Sequence, residues 1–120
     1  MPVWLIADGD SFEGDYVAAV LRAAGTRIVG PLRSVREVRD YFANAPLPCA
    51  VVLGSHLTDG SGWELVDALR GCGVPHLLLI GAQSRDDSAR HPGIAVLHKP
   101  FSAYQVRDWA AQFTPVAEAS

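Results

Sequence analysis

Carboxylates, histidines and one lysine stand at the ends of short apolar runs in this chain. Asp8-Gly9-Asp10 follows Val3–Ala7, Gly54-Ser55-His56 follows Cys49–Leu53, Ile80-Gly81 closes His76–Ile80, and His98-Lys99-Pro100 follows Ile94–Leu97. Residues of these types can hold a divalent cation, accept a transferred group on a carboxylate, or neutralise an anion with an ammonium. Asp8 and Asp10 are the only acids placed for Mg2+, and they offer a poor site, because Mg2+ wants near-octahedral hard oxygens. Asp10 also reads as the N-cap or first-turn acid of the helix that follows, and Asp59 as a turn residue in a glycine-rich loop. The four histidines and the pair Cys49 and Cys72 lack zinc spacing. His76 opens a strand, His91 belongs to the loop before Pro92, and His56 and His98 are expected to flank one pocket. His56 reads as an ordinary polar pocket residue, with pH sensing or a ligand role as the alternative.

The elements that must position these residues alternate regularly. The apolar runs at Val3–Ala7, Arg27–Val29, Cys49–Leu53, His76–Ile80 and Ile94–Leu97 read as strands, most of them continuous, as in a parallel sheet covered on both faces. Val35, Val38, Tyr41 and Phe42 form one helical stripe, Leu65, Val66 and Leu69 a second, and Val106, Trp109, Ala110 and Phe113 a third. Ser34-x-x-Glu37, Ser61-x-x-Glu64 and Ser102-x-x-Gln105 read as capping boxes, and Gly25 and Gly71 as helix stops. The segment from Ser84 to His91 is too short and polar for a full helix, so one or two exposed turns or a loop are expected there. Strict βα alternation implies a doubly wound parallel sheet with right-handed crossovers. In such a sheet ligands bind beyond the carboxyl ends of the strands, where the residues above converge.

Composition narrows the classes. A chain of 120 residues, 49% hydrophobic and 19% charged, suits one folded domain hiding about two-thirds of its extended surface. A net charge of −3, with ten basic residues scattered along the chain, argues against a nucleic-acid partner. No apolar run reaches the length of a membrane span and the N-terminus does not read as a signal peptide, so a cytoplasmic, membrane-free protein is expected. The two cysteines read as reduced thiols toward one end of the sheet, which leaves an adventitious disulfide open. Residues 1–114 are expected to form the domain, and 115–120 a flexible tail.

On Val51-Val52-Leu53-Gly54-Ser55-His56-Leu57-Thr58-Asp59-Gly60-Ser61-Gly62 and Leu97-His98-Lys99-Pro100-Phe101, the chain resembles the receiver domain of bacterial two-component response regulators. The resemblance covers residues 3–113. It implies a flavodoxin-like (βα)5 fold with sheet order 2-1-3-4-5, a reduced fourth helix and a cis bond before Pro100. It also implies a phosphorylation site of five parts. Aligned on Gly25, the acidic pair falls on Asp8 and Gly9, and the phosphoacceptor on Gly54. The hydroxyl position falls on Ile80, the switching aromatic on Val96, and the conserved lysine and proline on Lys99 and Pro100. This chain therefore departs from the family pattern at Gly9, Gly54, Ile80 and Val96. The departures put phosphotransfer at the usual site in doubt, because glycine offers no nucleophile.

The resulting expectation is a stand-alone pseudo-receiver with neither catalytic residue nor cofactor. It is expected to act through a protein partner, a histidine kinase or another signalling protein, or through self-association. The family's docking face maps onto Arg85, Arg90, Tyr104, Arg107 and Asp108. Two alternatives remain: a phosphorelay receiver with a relocated acidic acceptor, Asp10 or Asp59, and a small-anion or nucleotide sensor built around Lys99. Asp8-x-Asp10-Ser11 is also similar to the first motif of haloacid-dehalogenase-type phosphatases, though Lys99 follows Asp86-Asp87 in the wrong order for that enzyme. Replacing Gly54 by Asp, Gly9 by Asp and Ile80 by Thr together is expected to rebuild an Mg2+ site.

Overall fold

A computed structural model describes residues 3–81 and 84–113. The expected tail at 115–120 lies outside the described residues. The strands are β1 (Val3–Ala7), β2 (Arg27–Leu32), β3 (Ala50–Gly54), β6 (His76–Ile80) and β7 (Ala95–His98), joined in one parallel sheet of order β2-β1-β3-β6-β7. This is the flavodoxin-like order 2-1-3-4-5. A small hairpin, β4 (His56–Leu57) with β5 (Gly60–Ser61), follows β3 and stands apart from the sheet.

Continuous apolar strands work here because both faces are covered. Along β1, Leu5 and Ala7 enter one core with Val38, Leu65, Val66 and Leu69, while Trp4 and Ile6 enter a second with Val17, Leu21, Val106 and Ala110. The first core lies under α2 (Val35–Asn44) and α3 (Val66–Gly71), and the second under α1 (Ser11–Ala23) and α4 (Ala103–Ala111). Trp4 meets Trp109 edge to face, with ring centroids 5.5 Å apart. The stripes seen in sequence are these buried faces. Truncating a fully buried side chain such as Leu53 to Ala would cost about 2–5 kcal/mol.

Helix starts follow the capping pattern with one difference. Ser61 and Ser102 form complete capping boxes with Glu64 and Gln105. At Ser34 the hydroxyl accepts the Glu37 N–H, but the Glu37 carboxylate accepts from Arg33 N at 2.8 Å, one residue earlier than a capping box requires. Gly25 ends α1 at φ +89°, whereas α3 runs through Gly71 and the left-handed residue is Gly73 at φ +70°. Strand β2 extends three residues beyond the expected Val29, through a register shift against β1 and a cis Gly30–Pro31 bond. The bond before Pro100 is also cis.

Between β6 and β7 the described chain holds only a single 3-10 turn, Ser88–Arg90, so the fourth helix is reduced as its polarity suggested. Trp63 fixes this segment by donating its indole N–H to the Arg85 carbonyl at 3.0 Å and stacking on His91. Cys49 packs beside the α1/α4 core, while Cys72 lines a groove between α2 and α3 on the other face. Both thiols are free, and the sheet between them explains why no disulfide joins them. No helix among the described residues is long and apolar enough to cross a membrane.

Candidate functional site

The carboxyl ends of β1, β3, β6 and β7 meet in a cavity of about 360 Å3, lined by Asp8, Asp10, Glu13, Ser55, His56, Leu79, Gly81, Ser84 and Lys99. Its floor is the loop from β1 to α1, pinned at every step. Asp8 N donates to Leu32 O at 2.8 Å, and Gly9 N to His56 O at 2.9 Å. Asp10 N donates to Asp8 Oδ1 at 2.9 Å. Asp10 then caps α1, its Oδ1 accepting from Phe12 N and Glu13 N. That cap sets the first turn of α1 so that Glu13, 7% exposed, turns inward toward Lys99, while its neighbour Phe12, 85% exposed, turns out to solvent.

Lys99 leaves β7 with its backbone N–H on Ile80 O and brings its ammonium to 2.8 Å from Glu13 Oε1 and 3.4 Å from Asp10 Oδ2. The Glu13 contact is the main reason its pKa is raised. Asp8 is 2% exposed. Burial, followed by its hydrogen bond to Glu13, pushes its pKa up to about 9, against a backbone bond to Asp10 that lowers it. Burial thus favours the protonated form of Asp8, beside the Glu13 carboxylate that Lys99 balances from the other side. Lys99 and Glu13 thus form an ion pair, while Asp8 Oδ2 and Glu13 Oε1 are buried without a hydrogen bond.

The glycines explain why nothing else enters. A Cβ on Gly54 would lie 2.6 Å from Asp8 Cγ and 2.7 Å from its Oδ1, so the Asp8 carboxyl fills the space beside the end of β3. A Cβ on Gly9 would lie 2.7 Å from His56 O and 2.9 Å from Leu57 Cα. Those are backbone atoms, held by the Gly9–His56 hydrogen bond and the β4–β5 hairpin, and they cannot swing aside. The substitutions expected from sequence to rebuild an Mg2+ site thus meet steric closure at Gly9 as well as Gly54. Ile80 is 1% exposed and packs into the α2/α3 core, leaving Leu79 to line the cavity. Val96 is half-buried against that same core.

This donor set does not fit Mg2+. Glycines 9 and 54 supply no side-chain oxygen, Asp8 is 2% exposed, and an ammonium already bridges Asp10 and Glu13. An anion at Lys99 is likewise disfavoured, because the ammonium faces Asp10 and Glu13 before any ligand arrives.

Other residues singled out in sequence take different places. Asp59 does more than shape its turn: its oxygens accept from Val35 N and Arg36 N at 2.6 and 3.1 Å, capping α2 from across the chain. Those bonds, that to Val35 first, hold its pKa below the usual value. His98 does not line the pocket; it pairs with Asp86 at 2.6 Å. Hydrogen bonds from Ser88, with His98 behind them, pull Asp86 to about 2. Asp86 is thus tied to His98 and is absent from the residues around Asp8. His76 bonds the Val74 carbonyl, and burial lowers its pKa. His56 is exposed and lines both the 360 Å3 cavity and an adjoining cleft of about 750 Å3.

Of the expected docking residues, Arg85 and Arg90 line that larger cleft, with Arg85 paired to Asp87 at 2.8 Å. Tyr104 is exposed on α4 with Arg107 over its ring at 6.0 Å, and Asp108 is exposed beside them. Sequence reasoning missed Glu13 and Ser84. Glu13 carried a signal, as an acid three residues after Asp10 on a helix whose other inward positions are apolar or small.

No protein-family model matches the chain, and no curated protein matches it. Solved structures do. A response regulator receiver domain protein (CheY-like) from Methanospirillum hungatei JF-1 superposes with a TM-score of 0.79 at 19% identity, over 93% of this chain and 92% of that one. A response regulator receiver protein from Sinorhizobium medicae WSM419 gives 0.79 at 18% identity, covering 93% of each chain. A two-component response regulator from Clostridium difficile gives 0.77 at 21% identity, over 94% of this chain and 95% of that one. At these identities the likeness establishes the fold: this chain has the architecture of a response-regulator receiver domain.

Proposed function

We propose that this chain is a pseudo-receiver: a signalling module of receiver architecture that takes no phosphoryl group at the end of β3 and acts by binding a protein. The observation that carries this reading is the Asp8 carboxyl, which occupies the space beside Gly54 while Lys99 is drawn to Glu13 at 2.8 Å. A receiver needs an ionised acceptor, a cation site and a free lysine there. The chain offers a glycine, a buried acid whose pKa is raised, and an engaged lysine. Neither catalysis nor a resident cofactor belongs to this reading, and a cytoplasmic setting without nucleic-acid contact does.

The relocated-acceptor alternative is weaker. Asp10 and Asp59 both accept helix N–H bonds, which stabilise their carboxylates and make them poorer nucleophiles. The partner is a histidine kinase, another signalling protein or a second copy, and Arg85, Arg90, Tyr104, Arg107 and Asp108 remain candidates for the contact. The test is intact-mass spectrometry after incubation with acetyl phosphate and Mg2+. An unchanged mass is expected, and a gain of one phosphoryl group would overturn the proposal.

A further inference from the structure

The stretch between β6 and β7 is held in place without a buried residue of its own. From Ser84 to Gly93 every residue is exposed or half-buried, and the single turn, Ser88–Arg90, buries nothing. A segment with no apolar anchor opens at low cost, so its few tethers decide where it lies. They are the Trp63 indole on the Arg85 carbonyl at 3.0 Å, the Arg70 guanidinium on the Pro92 carbonyl, the stacked rings of His91 and Trp63, and the pair of His98 with Asp86 at 2.6 Å. Asp86 joins two of these parts. Its Oδ1 accepts from Ser88 N at 2.8 Å and starts the turn, while its Oδ2 meets Nε2 of His98, the last residue of β7. Strand alternation sets that direction: Leu97 enters the α1/α4 core and Val96 the α2/α3 core, so His98 turns to the face of Val96 and meets the segment there. The charged groups about it on the segment are Asp86 and the pair Arg85 with Asp87. Ile80 lies opposite on β6, and the neighbouring Lys99 is committed to Glu13 and Asp10. His91, at the far end of the segment, instead faces both signs: Asp67 at 3.8 Å, Arg70 beside it on α3, and His76 on β6, whose pKa burial lowers first and the charges of Arg70 and His91 lower further.

We propose that His98 and Asp86 form a proton-operated latch: the charged imidazole holds the segment against the end of β7, and the neutral ring loosens it. Hydrogen bonds from Ser88, with His98 behind them, pull Asp86 to about 2, so in the neutral range only the imidazole of this pair changes charge. Imidazoles do so between about pH 5 and 8. The neutral ring still donates one hydrogen bond, but a charge-assisted bond is roughly twice as strong, so the segment loosens without detaching. The cleft of about 750 Å3 is walled on one side by Ser84, Arg85, Asp87, Arg90 and His91 of this segment and on the other by the β4–β5 hairpin and Trp63. Its width therefore follows the latch. The latch is separate from the phosphotransfer question, since neither His98 nor Asp86 lines the cavity around Asp8.

Hydrogen exchange of the full chain, followed by NMR from about pH 5 to 8 and corrected for intrinsic exchange rates, reads the latch at the Ser88 amide and the Trp63 indole N–H. Protection at both should fall by about two- to fivefold as pH rises, the worth of one exposed ion pair, with a midpoint matching that of the His98 ring resonances. His98→Gln should flatten the profile at the level the wild type reaches at the alkaline end, and its side chain is 56% exposed, so the fold should be kept. Asp86→Asn should flatten it as well, by removing the other charge. His91→Gln should leave the transition in place. Protection that stays constant with pH, a transition that persists in both latch variants, or one that vanishes in His91→Gln would each overturn the proposal.

Discussion

The contact between Gly54 and Asp8 is measurable as an energetic coupling. In Gly54→Ala the new methyl would sit 2.6 Å from Asp8 Cγ, well inside van der Waals contact. Asp8 cannot simply rotate away, since its Oδ1 holds the Asp10 N–H at 2.9 Å and its surroundings leave it 2% exposed. Overpacking of this kind costs about 1–3 kcal/mol. Gly54 is not among the glycines of positive φ, so no backbone strain is added, and the stiffer unfolded chain returns about 0.4–1 kcal/mol. The net loss should be about 1–2 kcal/mol. In an Asp8→Ala background the obstruction is gone, and Gly54→Ala should become neutral or slightly stabilising. A double-mutant cycle from urea unfolding should therefore give a coupling of about 1–3 kcal/mol, a midpoint difference near 1 M for a slope of about 1–3 kcal/mol per molar. Effects that add to within about 0.5 kcal/mol would refute the claim that Asp8 fills the place beside Gly54.

Three further outcomes follow from the same geometry. Gly9→Ala should destabilise more than Gly54→Ala, toward the upper end of about 1–3 kcal/mol, because its methyl meets the 56–57 backbone; equal urea midpoints for the two variants would contradict this. Asp8, with its pKa raised from 3.8 to about 9, keeps in the folded state a proton that the unfolded chain releases, so its stabilising contribution is complete below 3.8 and is lost as pH rises toward 9. Asp8→Asn, neutral at every pH, should therefore gain stability relative to the wild type as pH rises above 3.8, and a constant difference in unfolding free energy would refute it. Asp59→Ala should lower the melting temperature and Asp59→Asn less so. Because the Asp59 pKa is depressed, its contribution is present above 3.8 and disappears as acidification passes through the lower folded value, where wild type and variant should converge.

The sheet was legible because burial on both faces writes itself as unbroken apolar strands such as Val51-Val52-Leu53, and the helices because serine caps precede their stripes. What sequence could not carry was contact across the fold. Asp59 looks like a turn residue until α2 is seen to start against it, at Val35, 24 residues earlier in the chain. Ser84 lines the cavity from the segment between β6 and β7, which carries no motif in the sequence. Gly9 and Gly54 read as absences, missing acids in a motif, whereas in three dimensions each admits another part of the chain. Gly9 admits the 56–57 backbone, and Gly54 admits Asp8. Glu13 reads as an ordinary first-turn acid, although its i, i+4, i+8 spacing with Val17 and Leu21 places it on the inward stripe.

The most direct measurement is an amide NMR titration with Mg2+ and then beryllofluoride, a phosphoryl mimic. If Gly54 leaves no acceptor and Glu13 and Asp10 keep Lys99 engaged, the resonances of Gly9, Gly54, Ser84 and Lys99 should remain unmoved through both additions. Saturable shifts at those residues would mean that the cluster opens to admit a cation and an anion, and would contradict the reading of a phosphotransfer-inert module.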